Sequence, residues 1–221
     1  MSGIFKTKGH RYDRPLLRSP TKMNYEKVLK VFRKNYVDVP LEFFGSDPYK
    51  TLVSTVLSAR TKDEVTFEAS KRLFNEAKNI KILSKMDIKR IEKLVYPVGF
   101  YKTKAKHLHA LAEKILNDFG GKVPMTRTDL VALPGVGIKT ANLVLNRAFN
   151  IPAIAVDTHV HRISNLLGWV NTKTPEQTEK ELISTVPKKY WPEMNKLFVS
   201  IGRQYTSKKK LEEFLKEEKL I

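Results

Sequence analysis

Two side chains that could do chemistry, a lysine and an aspartate, occur within the stretch LPGVGIKTANLVLNRAFNIPAIAVDTH, residues 133–159. Lys139 comes directly after a turn containing two glycines, and Asp157 follows eighteen residues later behind an apolar run. A primary amine can attack carbon as a nucleophile, and a carboxylate can stabilise positive charge that develops as a bond breaks. A packed core requires neither group, so the two residues form a candidate catalytic pair.

The residues around Lys139 predict two helices joined by a tight turn. Gly135 and Gly137 carry no side chain, so the backbone of the turn can approach another surface closely. The second helix should begin near Ile138, where its first N–H groups have no intrahelical acceptor and carry partial positive charge. Such a helix start is a phosphate-sized anion site. From the glycine spacing alone, a plain helix–helix turn without a ligand is equally consistent.

Chain geometry permits Lys139 and Asp157 to meet. A helix from Lys139 to Phe149 rises about 16 Å at ~1.5 Å per residue. Residues 150–156 can span up to about 23 Å when extended, so the chain can return to its starting point. The segment DTHVHRISNLLG then predicts another helix, with Asp157 at or near its N-cap. Capping alone would also explain the aspartate.

The charge of the chain indicates a polyanionic partner. The 221 residues include 41 Lys and Arg against 23 Asp and Glu, a formal net charge of +18. Nucleic acid is the first choice for that partner. A membrane surface is second, because the basic residues are spread along the whole chain and no apolar run approaches the ~20 residues that span a bilayer. The start, MSGIFKTKGHRYDRP, lacks a signal-peptide core, which predicts an intracellular protein.

The absence of cysteine narrows the possible chemistry. It excludes disulfides, thiolate zinc sites, a catalytic thiol and an iron–sulfur cluster held by cysteines. Two pairs of histidines are spaced two residues apart, which on a helix directs the rings to different faces, so no histidine metal site is expected. The histidines are His10, His107, His109, His159 and His161.

The apolar periodicity predicts an all-α protein. Helical spacing recurs from Tyr25 to the last residues, and only PAIAV, residues 152–156, is strand-like. One short strand cannot form a sheet. Residues 1–22 contain six Lys and Arg and one Asp with little apolar pattern, which predicts a basic N-terminal arm.

Several motifs in order resemble those of one family. The stretches LVSTVLSARTKDEVT, LVYPVGFYKTKAKHL, GGKVP, LPGVGIKTAN and AVDTHVHRISN together resemble the helix–hairpin–helix (HhH-GPD) DNA glycosylase superfamily, and most closely its endonuclease III branch. The resemblance extends over residues 24–205. Agreement of several ordered motifs is far more specific than any one of them.

The resemblance implies two helical domains flanking a DNA-binding cleft. One is a six-helix barrel domain, residues 42–151, containing the helix–hairpin–helix at about 127–149. The other joins residues 23–41 to residues 152–221. Enzymes of this branch remove oxidised pyrimidines from duplex DNA and nick the strand at the resulting abasic site. Lys139 matches the Schiff-base lysine of the family and Asp157 its catalytic carboxylate, and this chemistry requires no diffusible cofactor.

The resemblance also implies a set of DNA contacts. Phe100 would be a wedge between bases, and Arg60 would face the orphaned base, although family members often have glutamine at that position. The partner implied is double-stranded DNA with a damaged base or an abasic site, bound by a monomer and without a membrane. The expected DNA-binding residues are Arg60, Phe100, Tyr101, Lys104, Gly135, Val136, Gly137, Lys139, Thr140 and His159.

The chain departs from the branch at its C-terminal end, and two other functions are consistent with the sequence. The branch usually ends with four cysteines that hold an iron–sulfur cluster, whereas this chain continues as SIGRQYTSKKKLEEFLKEEKLI. A glycosylase for uracil or thymine opposite guanine is the first alternative, which Arg60 makes more credible. A non-catalytic helix–hairpin–helix DNA-binding protein is the second, and the presence of both Lys139 and Asp157 argues against it.

Overall fold

The computed structural model describes residues 24–39, 44 and 46–221. These residues form twelve α-helices and no strand, so the all-α prediction is confirmed. The predicted basic arm, residues 1–22, lies outside the described residues. The helices are α1 (Tyr25–Lys34), α2 (Pro48–Ser58), α3 (Asp63–Glu76), α4 (Ile80–Lys85), α5 (Ile88–Val95), α6 (Tyr101–Asp118), α7 (Arg127–Val131), α8 (Ile138–Phe149), α9 (Thr158–Leu166), α10 (Pro175–Thr185), α11 (Trp191–Gln204) and α12 (Lys208–Glu217).

Side-chain caps fix where many of these helices begin. The Asp47 side chain accepts a hydrogen bond from the Lys50 N–H, 3.0 Å away, and proline occupies the first position of α2. The Thr174 hydroxyl does the same for the Gln177 N–H at the start of α10, at 3.3 Å. Each cap satisfies an N–H that has no intrahelical acceptor. Both caps are visible in the sequence as a capping side chain followed directly by proline.

The buried side chains form two separate cores. Helices α2 to α8 surround the first core, to which α6 contributes a stripe of fully buried side chains. Among the described residues, seven helices surround this core. The buried stripe of α6 lies at helical spacing: Ala105, Leu108, Leu111, Ala112 and Ile115.

The second core joins the two ends of the described chain. Phe32 of α1 packs edge-on against Phe198 of α11, with ring centroids 5.2 Å apart, and also contacts Phe214 of α12. Helices α9 and α10 complete this core. The domain boundaries at residues 41–42 and 151–152 stay predictions. Among the described residues, no helix has both the length and the apolar character needed to cross a bilayer.

Polar capping and aromatic packing hold the segment that follows α11. Arg162 of α9 donates hydrogen bonds to the carbonyls of Gly202, Tyr205 and Thr206, at 3.2, 3.0 and 2.6 Å. The Tyr205 ring stacks on Phe214, with centroids 4.3 Å apart. A cation that binds the last carbonyls of a helix stabilises its C-terminus. These contacts hold the connection between α11 and α12.

Candidate active site

A groove of about 790 Å³ has walls from both cores. Helices α8, α9 and α11 contribute to its lining, together with the loop after α2. Both members of the candidate catalytic pair lie in this groove. Its polar lining includes Ser58, Arg60, Asp63, Lys139, Asp157, His159 and Arg203.

Lys139 lies in the first turn of α8, at the end of the hairpin. Its side chain is 50% exposed, and its Nζ lies 4.0 Å from Oδ2 of Asp157. Gly137 is the N-cap residue of α8 and provides no side-chain cap. The N–H groups of the first helical turn therefore point out of the helix without an intrahelical acceptor. The amine of Lys139 and the carboxylate of Asp157 both line the groove.

Asp157 is the N-cap of α9, and its two carboxylate oxygens have different surroundings. Oδ1 accepts hydrogen bonds from the N–H groups of His159 and Val160, both at 2.9 Å. Oδ2 faces Lys139. The two hydrogen bonds to Oδ1 fix the orientation of the carboxylate and therefore the position of Oδ2. The side chain is only 12% exposed. A carboxylate held in this way is suited to stabilising a developing positive charge.

Three buried asparagines support the extended run that ends at Asp157. The run 150–157 has no neighbouring strand among the described residues, so its carbonyls need other donors. Side-chain amides from α8 and α11 supply them. The bonds run from Asn142 to the Ile154 carbonyl at 2.8 Å, from Asn146 to Ala153 at 3.4 Å and from Asn195 to Ala155 at 3.0 Å.

The burial of two of these asparagines has a signal in the sequence. Asn142 and Asn146 are four residues apart on α8, on the same side as buried apolar residues. A polar residue repeated at that spacing in an otherwise apolar helix face indicates a buried hydrogen-bonding role. The same reasoning could not have found Asn195, because its partner is forty residues away.

The hairpin between α7 and α8 packs closely against α6. Gly135 has φ +77°, and a Cβ built on it would lie 2.8 Å from Nδ1 of His107, so both conformation and space require glycine. The side chain of Val136 is buried, and its N–H donates to the Leu133 carbonyl at 3.1 Å. Val136 therefore offers neither its side chain nor its N–H to a ligand.

The remaining hairpin residues of the predicted set lie at the surface. Gly137 and Lys139 are exposed, and Thr140 is half-buried in the same helical turn. A Cβ on Gly137 would meet no atom within 4 Å. The surface at the start of α8 is therefore open to a ligand that approaches the backbone.

Arg60 and Phe100 lie side by side on two adjacent loops. The Arg60 guanidinium carbon is 5.7 Å from the centre of the Phe100 ring, and the Phe100 side chain is 63% exposed. Both residues have left-handed backbone, with φ 53° and 57°. Tyr101 is half-buried and packs edge-on against Tyr96, with centroids 5.3 Å apart.

Lys104 differs from the prediction that it contacts DNA. Its side chain is buried, and Nζ donates to the carbonyls of Leu57 and Ala59, at 2.7 and 2.5 Å, and to the Thr61 hydroxyl at 3.1 Å. Burial lowers the pKa of Lys104 to about 8. All three donors of the ammonium group have protein acceptors, so Lys104 supports the Arg60 loop and does not face a ligand.

His159 lines the groove and packs against α11. A Cβ on Gly202 would lie 2.2 Å from Nδ1 of His159, so the ring occupies space that only glycine leaves open. Burial lowers the pKa of His159, while the carboxylate of Asp157 acts in the opposite direction. The imidazole is therefore a predominantly neutral group beside the candidate pair at neutral pH.

An ion pair that the sequence analysis missed links the two cores across the groove. Arg203 of α11 pairs with Asp63, the first residue of α3, and its second terminal nitrogen lies 3.7 Å from Glu64. The two ends of this pair are 140 residues apart. No local pattern could have predicted their contact.

The fold and the site together define a class of protein. A glycine turn leads into a helix that carries a lysine, and a carboxylate lies in the groove between the two helical cores. This arrangement is that of a helix–hairpin–helix enzyme. The chain belongs to the HhH-GPD superfamily of base excision DNA repair proteins, whose family model matches residues 53–188.

Several proteins similar to this chain carry the name endonuclease III. The endonuclease III of Thermotoga maritima is 42% identical over 178 residues, which cover 80% of each chain. A solved structure described as a trapped endonuclease III–DNA covalent intermediate superposes with a TM-score of 0.72 and is 31% identical. The match covers 82% of this chain and 84% of that one. A thermostable thymine-DNA glycosylase, with a TM-score of 0.73 and 24% identity, covers 85% of this chain and 88% of its own and shares the fold.

Proposed function

We propose that this protein is a base excision repair DNA glycosylase with AP lyase activity, which removes oxidised pyrimidines from duplex DNA through a Schiff base on Lys139. The observation that carries the proposal is the placement of the Lys139 amine 4.0 Å from the Asp157 carboxylate, inside the groove between the two cores. Both groups come from the same chain, so a monomer is sufficient for the reaction.

The substrate is a nucleotide turned out of the duplex. A damaged base must leave the stack before its glycosidic bond can be reached. The net charge of +18 favours binding of the phosphate backbone, and the open start of α8 offers N–H donors to one phosphate. Phe100 is an exposed aromatic ring suited to enter the stack where the base has left.

The first chemical step breaks the bond between base and sugar. Breaking the C1′–N bond builds positive charge on the sugar, which Oδ2 of Asp157 stabilises. The base leaves with the electron pair of that bond and takes a proton from water. The amine of Lys139 forms a new bond to C1′ through its nitrogen lone pair. One of its protons then passes to O4′ as the C1′–O4′ bond opens, and the other passes to the hydroxide left from water, which gives an imine.

The second chemical step cuts the strand. The imine draws electrons, so a proton is lost from C2′ and the C3′–O bond to the 3′ phosphate breaks by β-elimination. Water then hydrolyses the imine and returns the free amine of Lys139. Water is the sole co-reactant of the two steps. The covalent DNA intermediate described for the endonuclease III of the solved complex supports this sequence of steps.

Borohydride trapping on an abasic duplex tests the proposal. Borohydride reduces an imine to a stable amine, so the native chain should form a covalent adduct that is visible as a band shift on a denaturing gel. Lys139→Gln should form none, because it lacks the amine. Lys114→Gln is the matched control, since Lys114 is half-buried on α6, pairs with Asp118 and does not line the groove. An adduct of native yield with Lys139→Gln would overturn the assignment.

A preference for uracil or thymine opposite guanine is the second candidate. Arg60 favours it, because a guanidinium beside Phe100 would contact the opposite base differently from an amide. Single-turnover base release from duplexes that each carry one lesion separates the candidates. Faster release of oxidised pyrimidines supports the leading proposal, and faster release of uracil or thymine opposite guanine supports the alternative.

A further inference from the structure

The loops that carry Arg60 and Phe100 each follow the C-terminus of a helix. Arg60 follows α2, and Phe100 follows α5 and begins α6. The last carbonyls of any α-helix have no intrahelical donor. The position of each loop therefore depends on what binds those carbonyls.

A buried lysine binds the carbonyls at the end of α2. Lys104 comes from α6, the helix that follows the Phe100 loop, and its Nζ reaches the carbonyls of Leu57 and Ala59. It also donates to the Thr61 hydroxyl, which in turn accepts from the Gly99 N–H at 3.1 Å. The lysine thus contacts one loop directly and the other through a single hydroxyl.

An arginine does the same at the end of α5. Arg72 comes from α3, the helix that follows the Arg60 loop. Its Nε donates to the Leu94 carbonyl at 3.0 Å, and a terminal nitrogen donates to the carbonyl of Tyr96. The arrangement is reciprocal, because the helix after each loop supplies the cation that caps the helix before the other loop.

The two loops are also in direct contact and are strained. A Cβ on Gly99 would lie 2.6 Å from the Arg60 carbonyl oxygen, so the backbones touch. Arg60 and Phe100 both have left-handed φ, which is unfavourable for residues with side chains. Such strain persists only where the surrounding structure over-determines it. The two capping cations are the groups that can impose it.

We propose that Lys104 and Arg72 are positioning residues that brace the Arg60 and Phe100 loops into one rigid wedge, which enters the DNA stack when a nucleotide is turned out. The inference rests on the proposed function in that duplex DNA is the ligand. Neither cation touches the reacting atoms. Each acts by holding the exposed side chains of Arg60 and Phe100 at a fixed distance from each other.

The test compares a lesion that must be forced out of the stack with one that need not be. Base release is measured in single turnovers for one oxidised pyrimidine in a paired duplex and for the same lesion in a bulge. Lys104→Gln and Arg72→Gln should slow release from the paired duplex by roughly tenfold or more relative to release from the bulge, since a misplacement of about 1 Å can cost up to about 100-fold in rate. Lys114→Gln on α6 and Lys71→Gln on α3 are matched controls and should slow neither.

Two further measurements test the bracing role of Lys104 and Arg72. 2-Aminopurine opposite an abasic site reports unstacking, and its fluorescence gain on binding should be smaller for both variants than for the controls. Restoration of the paired-duplex rate by Lys104→Arg would support the bracing role. Equal slowing on both substrates would show a general structural effect and would overturn the inference, and so would values that match the controls.

A milder substitution tests the wedge if the glutamine variants do not fold. If thermal melting shows that the glutamine variants unfold, Thr61→Ala removes the shared hydroxyl and leaves both cations. It should produce the same preferential loss to a smaller degree, and no preference would contradict the wedge. If the native chain forms no adduct with borohydride, the proposed function fails, while the 2-aminopurine signal on an abasic duplex still decides whether the loops act as a braced wedge.

Discussion

Asp157 has two tasks, one for each carboxylate oxygen. One oxygen caps α9, and the other faces Lys139. Asp157→Asn keeps an oxygen for the cap and loses the negative charge. We expect base release to fall by about 100-fold or more, as when one electrostatic partner of a transition state is removed, with DNA binding mostly retained. Single-turnover excision and fluorescence anisotropy measure the two quantities.

Asp157→Ala is the informative companion to that variant. Alanine removes the cap as well as the charge, so the free energy of unfolding should fall by about 1 kcal/mol, the usual cost of losing an N-cap side chain. Urea denaturation of the two variants measures the difference between them. Turnover at the native rate in Asp157→Asn would remove the catalytic role of the carboxylate.

The titration of His159 reports on the charges of the pair. Burial lowers its pKa below the ordinary 6.5, Asp157 opposes that effect and Lys139 adds to it. An NMR pH titration should therefore give a pKa below 6.5 for His159 in the native chain. The value should fall further in Asp157→Asn and rise in Lys139→Gln. Opposite movements would show that the three groups do not interact as their positions require.

The same shift has a consequence for stability. Between the folded pKa of His159 and the unfolded value of about 6.5, the folded state binds fewer protons at this residue than the unfolded state does. The contribution of this residue to stability is thus present above the unfolded pKa and is lost as the pH falls through the folded pKa. Replacing His159 by glutamine should reduce the acid dependence of the free energy of unfolding. Urea titrations at several pH values measure that dependence.

At the scale of elements, local patterns predicted most helices and misread one of their residues. Capping residues and apolar periodicity are local, so the caps of α2 and α10 and the buried stripe of α6 can be read from the sequence. Lys104 was counted with the surface cations, although it lies on the same face of α6 as Leu108, Leu111 and Ile115. That spacing predicts burial. What the sequence could not supply was its acceptors, because they lie more than forty residues away.

The contact between α9 and α11 depends on the absence of a side chain at Gly202. A methyl group there would overlap the His159 ring, with 2.2 Å to Nδ1 and 2.7 Å to Cγ. We expect Gly202→Ala to lower the free energy of unfolding by about 1–3 kcal/mol, the usual cost of overpacking. The cost should be smaller in a His159→Ala background, because the ring atoms are then gone. Equal costs in both backgrounds, measured by urea denaturation, would contradict this packing.

At the scale of the whole molecule, composition indicated the partner, whereas the cleft that receives it was implied only by the family resemblance. A net charge of +18 is a property of composition and needs no fold. The groove depends on contacts between distant parts of the chain. Arg203 and Asp63 link the two cores, and the second core includes helices from both ends of the described chain. Such contacts leave no periodic trace in a single sequence.

The excess positive charge predicts a steep dependence of DNA binding on salt. Each phosphate that the protein neutralises releases a condensed counterion, so affinity should fall by about 10³–10⁵ between roughly 50 and 200 mM salt if six to ten phosphates are contacted. Fluorescence anisotropy with an undamaged duplex and an abasic duplex measures both affinities across that range. A plot of the logarithm of affinity against the logarithm of salt concentration should have the same slope for both duplexes. The abasic duplex should bind more tightly, since recognition of the lesion adds contacts that release no counterions. An affinity that stays flat as salt increases would show that the basic residues do not bind the phosphate backbone.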